Sequence, residues 1–186
     1  MTAEELYTIA NSNYDPHGFE QMLQQRKTDG MVIEFGVATG STVNIIAEHV
    51  DKVFGFDSFE GLPEDWRPGI GIGIGSFKCG VPSVKENVEL VVGLVQDTLD
   101  SFLKANKGPV SFIHMDMDIY SASAYVLQKL KKRIKSGTVI AFDEFMDYSG
   151  YEDHEFKAFL EFLNDTGFEV ELLGRRHGEA RTFRIK

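Results

Sequence analysis

MVIEFGVATGSTVNIIAEHVDKVFGFD, residues 31–57, divides into a strand, a glycine turn, an amphipathic helix and a second strand ending on an acid. Met31 to Ile33 with Phe35 form an apolar run without alternation, as suits a central parallel strand covered on both faces. Gly36 and Gly40 bracket a tight turn where side chains would obstruct a ligand. Ser41 or Thr42 is expected to cap the helix carrying Val43, Ile45, Ile46 and Val50. Val53, Phe54 and Phe56 make the second strand, and Asp57 sits at its carboxyl end, where open parallel sheets bind ligands.

Two ligand classes compete for this unit. A dinucleotide wants G-x-G-x-x-G, because the second glycine lets the backbone approach a pyrophosphate. The spacing here is G-x-x-x-G, with Glu34 two residues before the first glycine. A carboxylate there repels a pyrophosphate and suits the ammonium or sulfonium of S-adenosylmethionine. Asp57 serves either class, since an acid after the second strand accepts from ribose hydroxyls. The acid pair favours S-adenosylmethionine.

Outward from this unit the β-α alternation continues. Val88 to Leu94 is a third strand, and Asp97 is expected to start a helix with Leu99, Phe102 and Leu103 inward. VSFIHMD forms a fourth strand ending at Asp116; Ser121 or Ser123 is the expected cap of the helix bearing Val126, Leu127, Leu130 and Ile134. Gly137 opens a fifth strand, TVIAF, ending at Asp143 and Glu144, and a helix spans Glu155 to Asn164 until Gly167 ends it. FEVELL and RTFRI close the chain as an edge hairpin, with Phe183 and Ile185 inward against Arg181, Arg184 and Lys186. The expectation is an α/β fold: a doubly wound, Rossmann-like, mostly parallel seven-stranded sheet, a C-terminal antiparallel hairpin and helices on both faces.

Residues 1–186 read as a single domain, with a helical segment over 1–30. Residues 60–83, rich in glycine and proline, read as a mobile loop or lid whose isoleucines and Trp66 could close over a ligand. The string GIGIGIG lacks a leading strand and a following G-K-[ST], so it is not a phosphate loop. A net charge of −10 argues against a nucleic-acid partner. The basic clusters at Lys129 to Lys135 and Arg175–Arg176 read as solvated faces. The lone Cys79 forms no internal disulfide, and no apolar run of about eighteen residues exists to span a membrane. A cytoplasmic protein is the expectation, with a homo-oligomer left open.

Four acids gather at strand ends: Asp116 and Asp118 after the fourth strand, Asp143 and Glu144 after the fifth. Those strands should be neighbours, and carboxylates so close cannot all stay ionised without compensation. Either some hold protons or a hard divalent cation sits among them; oxygen-only ligands suit magnesium, with calcium or manganese as alternatives. His114 reads as a satisfied core residue, while His154 could touch substrate or water.

The segments EFGVATGS, FGFDSFEGLP, VGLVQDTL, IHMDMDIYSAS and TVIAFDEF, in that order, resemble the class I S-adenosylmethionine-dependent methyltransferases. Within them they are similar to the macrocin-type and novobiocin-pathway sugar O-methyltransferases. The resemblance implies that Glu34, Gly36, Thr39, Gly40 and Ser41 surround the methionine part, with Asp116 adjoining the cofactor. Asp57 would hold the ribose, and Ser58, Val95 and Gln96 would lie near the adenine. It further implies magnesium on Asp116, Asp143 and Glu144, with Asp118 as general base. Many relatives carry Asp-Asp where this chain has Asp143–Glu144, and the chain lacks their long amino-terminal extension. The activity implied is Mg-assisted O-methylation of a small-molecule hydroxyl, on a sugar or another vicinal diol. Its rivals are metal-independent methyl transfer to nitrogen or carbon, a non-catalytic cofactor-binding module, and a nicotinamide oxidoreductase. The last lacks its glycine signature.

Overall fold

The computed structural model describes residues 1–12 and 15–186. In chain order the elements are α1 (Ala3–Ala10), β1 (Asp15–Pro16), α2 (Phe19–Gln24), β2 (Met31–Phe35), α3 (Ser41–Ala47), β3 (Val53–Asp57) and β4 (Val88–Val92). There follow α4 (Val95–Ala105), β5 (Val110–Met115), α5 (Tyr120–Leu130), β6 (Ile134–Phe142), α6 (Glu155–Thr166), β7 (Val170–Arg175) and β8 (Arg181–Ile185). The strands join in one sheet of order β1-β7-β8-β6-β5-β2-β3-β4. The expected seven are present, and the two-residue β1 adds itself beside β7. β8 runs antiparallel to both β6 and β7; the other pairings are parallel.

Strand alternation divides the core into two layers. Ile33, Phe35, Ile113, Met115, Ile140 and Phe142 face α1, α4, α5 and α6. Val32, Phe112, Val139 and Ala141 face the other way, onto Phe19, Met22 and Leu23 of α2 and Val43 and Ile46 of α3. The chain leaves β2 outward through β3 and β4, then returns to β5 on β2's other side. That reversal opens a crevice at the carboxyl ends of β2 and β5, where doubly wound sheets place ligands.

Several local expectations are corrected. Neither Ser41 nor Thr42 caps α3; Gly40 does so at φ +82°, and the Thr42 hydroxyl donates to Glu34 instead. Ser121 and Ser123 both lie inside α5, which begins at Tyr120 after Ile119 without a side-chain cap. α4 begins at Val95, two residues before Asp97. β6 begins at Ile134, so the end of the expected α5 stripe belongs to the next strand. Arg181, assigned to an outward face, is 0% exposed. Gly167 does end α6, in the left-handed conformation at φ +71°.

In the segment 58–83, Leu62 and Trp66 are buried in the core, whereas Ile70 and Ile74 face outward. The segment holds itself together with backbone bonds between Leu62 and Ser76, Gly75 and Leu62, and Arg67 and Ile72. Among the described residues, no helix is long and apolar enough to cross a membrane.

Candidate active site

Gly36 follows β2 at φ +90°, pressed against the strand end of β5. A Cβ there would fall 1.7 Å from the Asp116 carbonyl oxygen. Only glycine permits both the backbone angle and the contact. Gly36→Ala is therefore expected to strain the turn by about 1–3 kcal/mol, lowering both the melting temperature and the affinity for S-adenosylhomocysteine. Wild-type calorimetric binding in that variant would show that the turn yields without consequence.

Asp57 orders the same turn from the end of β3. Its Oδ2 accepts from the amides of Val37 and Ala38, both at 2.8 Å, and its Oδ1 accepts from Phe59 N at 2.7 Å. These bonds hold Ala38 at φ +45°. A carboxylate has about four acceptor positions, so Asp57 keeps capacity for a ribose hydroxyl.

Turn, strand ends and the 58–83 segment enclose a cavity of about 310 Å³. Of the sequence-derived cofactor residues, Gly36, Asp57, Ser58, Val95, Gln96 and Asp116 line it, as do Asp118 and Glu144. Glu34, Thr39, Gly40, Ser41 and Asp143 are not on its wall. Sequence reading missed Leu62, Pro63, Phe77 and Leu94, which give the cavity its apolar side. Leu62, Pro63 and Leu94 lie in the segments FGFDSFEGLP and VGLVQDTL and Phe77 in the glycine-rich loop, but composition does not say which way a loop folds. A larger depression of about 890 Å³ lies between α1 and the α6–β7 turn, away from these strand ends.

The acids divide in a way that sheet geometry dictates. Asp143 continues the parity of Val139 and Ala141 onto the α2/α3 face, while Glu144 continues that of Phe142 onto the other. The result is two groups that share Asp116: Asp116, Asp118 and Glu144, and His114, Asp116 and Asp143, each with ligand atoms within 4.8 Å of one another. The trio expected to hold magnesium, Asp116, Asp143 and Glu144, is thus split between two sides of Asp116. Glu34 also faces α3, fully buried, as the direct cross-strand partner of His114.

Charge follows the same division. His114 Nδ1 donates to Glu34 Oε1 at 2.8 Å, and its Nε2 lies 3.5 Å from Asp143 Oδ1. Burial opposes the imidazolium, but bonds to Asp143 and Glu34 outweigh it and push its pKa up to about 10. His114 is the satisfied core residue expected. Asp143 stays well below the usual carboxylate range, because His114 and Arg176 overcome its burial. Arg176, read as part of a solvated face, in fact pairs directly with Asp143.

On the cavity side, burial followed by the charges of Asp116, Asp143 and Asp118 pushes Glu144 up to about 10. Burial pushes Asp118 up to about 7, against the Arg67 charge and its hydrogen bond with Glu144. Asp118 also holds φ +64°, a left-handed conformation that aspartate tolerates better than most residues. Arg67 is clamped between Trp66 and Tyr148, 3.9 and 3.7 Å from their ring centres, and its guanidinium donates to Glu179 Oε2 at 2.6 Å. Glu144 Oε2 is buried without a partner.

Folded-state pKa values above their unfolded counterparts mean that the native protein holds extra protons. Stability from Glu144, Asp118 and His114 is then full at low pH and lost as pH rises, through about 7 for Asp118 and about 10 for Glu144 and His114. In EDTA the melting temperature should fall steadily from mildly acidic to alkaline pH. A flat or rising profile over that window would contradict the charge assignment.

These strand ends, turn and cavity carry a family signature. The model of a methyltransferase domain matches residues 33–145, more than half of the chain, and the protein belongs to that family. Among solved structures it is similar to CalS11, a calicheamicin methyltransferase, at 22% identity and TM-score 0.65, over 98% of this chain and 76% of that one. It is similar to the O-methyltransferase NovP at 18% identity and TM-score 0.66, over 89% of this chain and 77% of NovP. An O-methyltransferase from Bacillus cereus, solved with SAH, aligns at 16% identity and TM-score 0.57, over 98% and 89%. No curated protein matches the sequence significantly. At such identities the structural likeness establishes the fold and leaves the acceptor to the site.

Proposed function

We propose that the protein transfers the methyl group of S-adenosylmethionine to a hydroxyl of a small molecule bearing adjacent oxygens, with help from a divalent cation. The observation that carries this reading is one cavity lined both by Gly36 and Asp57 and by Asp116, Asp118 and Glu144. The donor would lie over Gly36, with its ribose on Asp57 and its adenine near Ser58, Val95 and Gln96. The sulfonium would then lie near the acids, and its positive charge would favour their ionised forms. Asp118 would take the hydroxyl proton as the acceptor oxygen bonds the methyl carbon and that carbon leaves the donor's sulfur, which would remain as a thioether. Alignment of oxygen, methyl carbon and sulfur supplies much of the acceleration.

The residues fit a hard cation: three carboxylates within reach of one another, one with a buried oxygen lacking a partner. Asp116 and Glu144 would hold it; Asp143 would reach it only by giving up Arg176. Bound there, magnesium would lower the pKa of the acceptor hydroxyl. CalS11 is described as a TDP-rhamnose 3'-O-methyltransferase, which makes sugar nucleotides the first acceptors to try.

The test is transfer of labelled methyl to a panel of vicinal diols, matched mono-alcohols and amines, with and without EDTA. Metal-dependent methylation of the diols is expected. Labelling of amines alone, or of diols at full rate in EDTA, would remove the hydroxyl or the cation from the reading.

A further inference from the structure

Buried polar side-chain atoms in a folded protein almost always have a hydrogen-bonding partner. Among the described residues seven do not, and five of these fall in one cluster: Trp66 Nε1, Arg67 Nε, the Tyr148 hydroxyl, His154 Nδ1 and Glu155 Oε2. Tyr148 is its hub. The ring centre lies 6.0 Å from that of Trp66, 6.4 Å from that of His154 and 3.7 Å from the Arg67 guanidinium carbon. Burial and then the Glu155 carboxyl push the Tyr148 pKa up, and the Trp66 indole bears on the hydroxyl without completing a hydrogen bond. Trp66 is 6% exposed and Glu155 0%, so bulk solvent does not reach them. The Ser123 hydroxyl donates to Glu155 Oε1 at 3.4 Å, which leaves Oε2 bare. The cluster adjoins the cavity: Glu144 lines that cavity and also bears on Tyr148, while Arg67 bears on Asp118.

We propose that Trp66, Arg67, Tyr148, His154 and Glu155 form a subsite for an uncharged part of the acceptor that carries hydroxyl or carbonyl oxygens. What the guest is rests on the methyl-transfer reading; its chemistry follows from the groups that await it. Trp66 Nε1 and Arg67 Nε can only donate, the Glu155 carboxyl offers an accepting oxygen, and the Tyr148 hydroxyl does both. A hydroxyl, which donates once and accepts twice, answers such a mixture. An anion would face Glu155 with Asp118 and Glu144 beyond it, and a cation would face Arg67 and the indole N–H. Glu179 already balances the Arg67 charge, at 2.6 Å, so Nε is offered as a hydrogen-bond donor rather than as free charge. Trp66 and Arg67 come from the 58–83 segment, whereas Tyr148, His154 and Glu155 come from the β6–α6 connection and the first turn of α6. The guest would be held between those two walls, beside Asp118.

Trp66 is the chain's single tryptophan, so its fluorescence reads this subsite directly. The experiment titrates the intact protein, saturated with S-adenosylhomocysteine, with methyl glycosides of neutral hexoses and with their uronate and amino-sugar counterparts. The expected result is a saturable change in emission with the neutral glycosides and weaker binding of both charged sets. Tyr148→Phe keeps the ring and removes only the hydroxyl, so it should weaken neutral glycosides about tenfold, the weight of one hydrogen bond, without lowering the melting temperature. No emission change with any neutral glycoside would overturn the proposal and leave the cluster to ordered water only. Equal response to the uronates or amino sugars would overturn it as well. Saturable binding without methyl transfer would remove the methyl-transfer reading and keep the subsite; methyl transfer to these glycosides with unchanged emission would do the reverse. The titration needs only the wild-type chain, so a variant that fails to fold leaves the outcome decided.

Discussion

Arg181→Met should destabilise the fold by about 2–5 kcal/mol, the cost of leaving buried carbonyl acceptors without their donor. Arg181 is fully buried on β8, yet it reaches four partners. Its Nε donates to the Ala10 carbonyl at 2.7 Å, which ties down the end of α1. One terminal nitrogen donates to the carbonyls of Gly178 at 2.7 Å and Ala180 at 2.8 Å, closing the β7–β8 turn. The other donates to Asp147 Oδ2 at 2.6 Å. Methionine fills much the same volume, so packing is not the main loss. Asp147 is 44% exposed and can turn to water. The buried carbonyls of Ala10 and Ala180 have no such exit, and each buried acceptor left bare costs about 1–3 kcal/mol. Urea unfolding monitored by circular dichroism measures the difference. A shift below about 1 kcal/mol would mean that water replaces the guanidinium without penalty, against the desolvation cost assumed.

Asp118→Asn should lower turnover about a hundredfold or more, the usual weight of a positioned general base. The substitution isolates that role. Asparagine has the same shape and accepts the left-handed backbone that residue 118 adopts at φ +64°, so the strand end should not move. Affinity for S-adenosylhomocysteine should stay within a few-fold of wild type, because the turn around Gly36 and Asp57 is untouched. Asp118 is buried and faces Glu144, and the Arg67 charge keeps its proton from being held more tightly still. Wild-type turnover by the asparagine variant would strip Asp118 of the base role. Parallel loss of cofactor binding would recast it as a structural residue.

Legibility in the sequence followed the range of each interaction. The glycine turn at 36–40 was readable because Gly36 answers to its own φ and to a neighbouring strand end. The acids at 116, 118, 143 and 144 were readable as strand-end residues, because β5 and β6 announce themselves by apolar runs. Their division was not: it needs the parity of each strand and the pairing of Glu34 with His114 across β2 and β5. Arg67 was invisible for another reason. Its clamp joins a loop to Tyr148 and to Glu179, partners 81 and 112 residues away along the chain. The alternation in RTFRI put Arg181 outside, and only the arrival of α1 and the Asp147 segment over β8 buries it.

The sequence alone determined the β-α order, the edge of the sheet where doubly wound folds place ligands, and the set of acids gathered there. Strand runs, turn glycines and strand-end residues are written locally, in period and backbone freedom. Tertiary structure decided which acids share a pocket, which histidine stands beside them and which arginines are buried. Those outcomes depend on register and on partners far away in the chain, and one residue of shift in parity would have exchanged the two groups.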